Sequence, residues 1–117
     1  MAAQMGLSTI TAAIASGQSL SGQTDIGPGV LVGLIVPSGW TAANITFQVS
    51  ADGGATWGNL FSYLGTEFTV VSVVGEFMAI DPTLLRGARS LKVRSGTSAS
   101  AVNQGSAVNV TLVTALI

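Results

Sequence analysis

Four basic and five acidic side chains are all the charge this sequence carries. The carboxylates are Asp25, Asp52, Glu67, Glu76 and Asp81, and every one precedes the basic group Arg86, Arg89, Lys92 and Arg94. Two carboxylates brought together in space could share acid and base work on a glycosidic bond. Asp52 or Asp81 beside loop carbonyls could hold Ca²⁺. No spacing in the sequence points to either chemistry. Histidine and cysteine are absent, which removes the commonest general base, the imidazole and thiolate metal ligands, and any disulfide. Serines abound, yet none has a base at a recognisable spacing to activate it. The expectation is a protein with no catalytic residue, no metal site and no cofactor, and hence not an enzyme.

The basic residues fall within nine positions, Arg86 to Arg94. They could form a strip that meets an acidic partner surface, or they could be a solvated strand edge paired with Glu67, Glu76 or Asp81. Strand alternation would place Lys92 and Arg94 on one face and Arg89 on the other. At a formal net charge of −1, nucleic acid is not an expected partner. Trp40 follows Pro37, Ser38 and Gly39, a position that could present an indole for stacking on a sugar, with Trp57, Phe61 and Tyr63 as further rings. The same rings could instead plug the ends of a sandwich.

Ser50, Asp52, Gly54, Thr56 and Trp57 match the pattern Ser-x-Asp-x-Gly-x-Thr-Trp residue for residue. The pattern is similar to the Asp-box of sialidase-type propellers, where it is a structural turn remote from catalysis. A propeller needs many copies and more chain than 117 residues. A single copy therefore reads as a turn that staples one hairpin, with Gly53 and Gly54 free to adopt positive φ and Asp52 bonding the backbone ahead of it.

Composition describes the surface that must carry these residues. Charged residues are 8% of the chain, against roughly 25% in an ordinary domain. Hydrophobic residues reach 48% with only 6% aromatic, so much of the exterior must be Ser, Thr, Gly, Asn and small apolar side chains. Sparse charge favours association, and the chain reads as a subunit covered by neighbours. No apolar run approaches the ~20 residues of a membrane span, and residues 1–6 lack the basic start of a secretory signal. Neither a membrane nor secretion is expected.

The elements are short and strand-like. Alternating or β-branched runs at 7–15, 19–25, 30–36, 45–49, 59–63, 68–74, 76–80, 90–94 and 108–113 are separated by Gly, Pro, Asn and Ser. Residues 30–36, apolar on both faces, suit a central strand, with Gly33 permitting close approach of another backbone. In 45–49, Ile45, Phe47 and Val49 should face the core. Asp81 and Pro82 suit the cap and first position of one helical turn. The fold expected is all-β: a single jelly-roll-like β-sandwich of eight or nine short strands. Residues 17–117 form the sandwich, preceded by residues 1–16 as an N-terminal strand or an arm reaching a neighbour.

Two resemblances follow. Residues 45–53 with Trp57, and later 87–94, are similar to discoidin or galactose-binding-like sandwiches. Residues 37–48, 91–98 and 108–113 resemble small virion proteins of tailed bacteriophages, over most of the chain from Gln18 onward. The second resemblance implies a non-enzymatic particle component, a capsid decoration (cement) subunit first, and a head-fibre or tail component next. The alternative is a carbohydrate- or receptor-binding module using Trp40. The implied partners are the major capsid protein or other virion proteins and further copies of the chain, a trimer among the options. The implied location is the virion, assembled in the host cytoplasm.

Overall fold

The computed structural model describes residues 6–116. They form eight strands: β1 (Leu7–Ile14), β2 (Thr24–Asp25), β3 (Val30–Ile35), β4 (Ile45–Ser50), β5 (Gly58–Asn59), β6 (Phe77–Ala79), β7 (Ser90–Ser95) and β8 (Val108–Ala115). Strand one pairs with eight, two with seven, three with six and four with five, all antiparallel. The chain is thus one long folded-over hairpin, rolled so that successive pairs fall alternately into two sheets. The first sheet has the order β1-β8-β3-β6 and the second β2-β7-β4-β5. This is a jelly-roll sandwich.

Alternation explains which side chains fill it. Ala12 and Ile14 of β1, Val110 and Leu112 of β8, Ile45 and Phe47 of β4, and Leu91 and Val93 of β7 are all fully buried between the sheets. Burying each of the larger ones contributes about 1.5–3 kcal/mol. Val49 is only half-buried at the rim of this core. In β3 the register against β8 shifts between Leu31 and Gly33. That bulge turns Leu31, Leu34 and Val36 inward while Ile35 stays 39% exposed, so β3 is covered on one face and not on two. It is a side chain, not another backbone, that exploits Gly33. The Phe77 ring lies where a Cβ on Gly33 would stand.

Three runs expected as strands are irregular. Of residues 59–63 only Asn59 lies in a strand, β5, and Phe61 makes one isolated bridge, to Glu67. Residues 19–25 follow β7, but the Ser21 hydroxyl stands in for a backbone carbonyl and accepts from Val93 N–H at 2.9 Å, leaving regular pairing only at Thr24–Asp25. Residues 68–74 make one antiparallel bridge, Val70 with Ile45. The chain must then cross to the first sheet, where Gly75 N–H donates to Val36 O at 2.9 Å. Val71, Val73 and Val74 are left exposed on that crossing. Asp81 caps the 3-10 helix Pro82–Leu85 by accepting from Thr83 N–H.

Of the N-terminal segment, Met1 to Met5 lie outside the described residues. Leu7–Ile14 is paired with β8 along its whole length and ends in the core at Ile14. Within the described residues this is a strand of the sandwich and not a detached arm.

Candidate functional site

The Ser50–Trp57 loop joins β4 to β5, which pair through Val49 with Gly58 and Gln48 with Asn59. Ser50 is buried, and its hydroxyl donates to Asp52 Oδ1 at 2.7 Å while accepting from Gly54 N–H at 2.9 Å. Asp52 Oδ1 also accepts from Thr56 N–H at 2.9 Å. The Ser50 hydroxyl and then the Thr56 donors pull the Asp52 carboxyl down to about 2. Gly53 and Gly54 have φ of 75° and 102°, left-handed conformations that the tight return requires.

The loop is tied to the second sheet by Gln23. Its Nε2 donates to Gly53 O at 3.2 Å and to Asp25 Oδ1 at 2.8 Å. Ser90 Oγ donates to the same Asp25 oxygen at 2.7 Å. The Gln23 amide and the Ser90 hydroxyl hold the Asp25 carboxyl below its ordinary value. Each carboxylate here is occupied by local donors, and the arrangement stiffens a turn. Trp57 does not plug the core. It lies half-exposed on the outer face, with Lys92 Nζ 4.4 Å from the ring centroid, a cation–π pair.

The basic residues do not form a strip. Alternation does place Lys92 and Arg94 on the outer face of the second sheet, but Arg94 is only 6% exposed. The segment after β5 folds over it. Its guanidinium donates to Glu67 Oε2 at 3.3 Å, to Asn59 Oδ1 at 2.5 Å and to Thr46 Oγ1 at 3.4 Å. Arg94 is therefore a structural anchor and not a partner contact, and Lys92 is committed to Trp57. Arg86 and Arg89 are exposed.

Trp40 is 6% exposed and sits in the core cluster, its indole N–H donating to Ala43 O at 3.0 Å. A ring enclosed in this way cannot stack on a sugar. The plugging role is the one the structure shows. Among the described residues no three carboxylates converge on a point that could hold a metal ion.

Two features were not singled out in the sequence. The first is Gln104, completely buried in a small-residue loop. Its side chain donates to Thr41 O at 3.0 Å and to Ser95 Oγ at 2.8 Å, and accepts from Thr41 N–H at 2.7 Å, pinning two loops together. The second is the outer face of the first sheet. Strand register lines up Phe77, Ile35, Thr111 and Thr11 in one row, and Ala79, Gly33, Val113 and Thr9 in the next. No residue of β1, β3, β6 or β8 is charged. Phe77 is 53% and Leu7 51% exposed on this face. The second sheet's outer face, by contrast, carries the Asp25, Lys92 and Arg94 networks. The signal was present in the sequence as four charge-free strands, but only the sheet order shows that they are neighbours.

Comparison with known protein families, with curated proteins and with solved structures finds no match to this chain.

Proposed function

We propose that this chain is a non-enzymatic structural subunit that works by having its uncharged surface buried in an assembly. The setting proposed is the particle of a tailed phage, as a capsid decoration protein. The observation that carries the reading is the outer face of the first sheet, a four-strand surface of Thr, Asn, Ala and large apolar side chains without a single charge. Continuous uncharged faces with exposed Leu, Ile and Phe are what protein interfaces cover. Burial there would lower the free energy of an assembled shell relative to its free parts. The tailed-phage setting rests on the sequence resemblance alone. The Asp52 carboxylate and the Ser50 hydroxyl of the Ser50–Trp57 loop support the same reading from the other side, since each is spent on holding the turn.

Mass spectrometry with copy-number measurement, on particles made by the genome that encodes the chain, tests this. Hundreds of copies per particle are expected of a decoration subunit. Roughly six to a few dozen would move it to a tail or vertex, and absence from particles would overturn the proposal.

A further inference from the structure

Four strands end the two sheets: β1 and β6 in the first, β2 and β5 in the second. Three of them are blunt, with two residues in β2, two in β5 and three in β6. So short an edge offers few backbone groups to another strand. β1 is different. It runs for eight residues, and its sequence contains no charge, proline or glycine. Among the described residues this edge has no charge or proline to protect it and no strand paired on its outer side.

The direction of its free groups follows from the ladder. Leu116 N–H donates to Gly6 O at 2.8 Å, and the register continues from that pair, so even-numbered β1 residues exchange hydrogen bonds with β8. The N–H and C=O groups of Leu7, Thr9, Thr11 and Ala13 point the other way. Among the described residues no segment pairs with them. Beside this edge the sandwich is open. A cleft of about 390 Å³ lies between the start of β1 and the chain around Ile26, and Ile10 and Ile26 both line it.

We propose that the β1 edge binds β1 of a second copy of this chain, antiparallel, across a two-fold axis at Ile10. That register sets Thr9 against Thr11 of the copy and Leu7 against Ala13, each pair exchanging both backbone bonds. A two-fold contact requires an edge complementary to itself. This one matches hydroxyl to hydroxyl and a large side chain to a small one, with no like charges opposed. The Ile10 side chains point inward, toward the cleft that is otherwise open. A charged partner strand would find nothing along the edge to pair with. The pairing joins the two first sheets, and with them their uncharged faces, into one continuous surface.

The inference rests on the edge geometry and not on the virion reading, and it is tested without particles. Sedimentation equilibrium of the full chain over a range of concentrations should show a reversible monomer–dimer equilibrium. Thr11→Pro removes an outward N–H while leaving every bond to β8, and Thr11→Lys places a charge on the edge. Each should weaken dimerisation at least ~10-fold, the factor that 1.4 kcal/mol represents, with an unchanged circular dichroism spectrum. If the proline variant is misfolded, the lysine variant carries the comparison. The chain has no cysteine, so mixing Thr9→Cys with Thr11→Cys protein under oxidation should give a reducible heterodimer in preference to either homodimer. A monomer at all concentrations, a trimer, or a dimer indifferent to both Thr11 variants would overturn the proposal.

Discussion

At the scale of single residues, chemistry suggested by type is redirected by what each side chain touches. Asp52 belongs to a motif whose name suggests sugars, yet its donors are Ser50 and Thr56 of its own loop. Its carboxyl falls from 3.8 to about 2 in the folded chain. A depressed value means that the ionised form stabilises the fold. That contribution is complete above 3.8 and is lost as pH falls through about 2. An NMR titration should place the Asp52 midpoint near 2, and Asp52→Asn should lose stability at neutral pH while flattening the acid limb of the stability curve. A midpoint at the ordinary carboxylate value would contradict the turn geometry. Trp40 makes the same point with an aromatic ring. Because it is enclosed and bonded to Ala43 O, Trp40→Ala should cost about 3–5 kcal/mol, the range for a large aromatic removed from a core. Thermal or urea unfolding measures this directly. A variant as stable as the parent would return the ring to the surface. The motif and the tryptophan were both visible in the sequence. Their surroundings were not, since Gln23 reaches the loop from 30 positions away and the core that encloses Trp40 is gathered from several strands.

At the scale of elements, alternation located β4 and β7, because period-two burial leaves its mark on Ile45 and Phe47 and on Leu91 and Val93, whereas β3 was legible only as a continuous apolar run. Alternation misjudged segments whose course is set by the crossing between sheets. Residues 68–74 have strong β propensity, but after the Val70 bridge they must leave β4, and tertiary demand overrides propensity. Arg94 was assigned the correct face and the wrong exposure, because the segment that covers it comes from 27 positions away. This ion pair holds that segment onto the second sheet, with side-chain exposures of 7% for Arg94 and 12% for Glu67. Removing one partner from so dry a pair leaves the other uncompensated. Arg94→Met should therefore destabilise by about 3–5 kcal/mol, and the double variant with Glu67→Met should recover much of the loss. Denaturant midpoints of the four proteins in this cycle decide it. A near-neutral single variant would show that the pair is solvated.

At the scale of the whole molecule, the two outer faces divide the labour. The second sheet carries the Asp25, Gln23 and Ser90 network, the Lys92–Trp57 pair and the Arg94–Glu67 pair. The first carries no charge on any strand. Low overall charge implied an uncharged surface somewhere on the molecule, but composition has no direction and could not say where. The jelly-roll order supplies it by bringing four charge-free strands, far apart in the chain, into one sheet. If the chain is the decoration subunit proposed above, the most direct test of burial on that face is occupancy of the phage particle by a variant with charges at its centre, Ile35→Lys with Thr111→Lys. Both positions lie on the outer face, away from the core. The prediction is a fall of at least ~10-fold in copies per particle, the factor set by ~1.4 kcal/mol of lost contact energy, with the free protein still folded. Full occupancy by the folded double-lysine variant would contradict it.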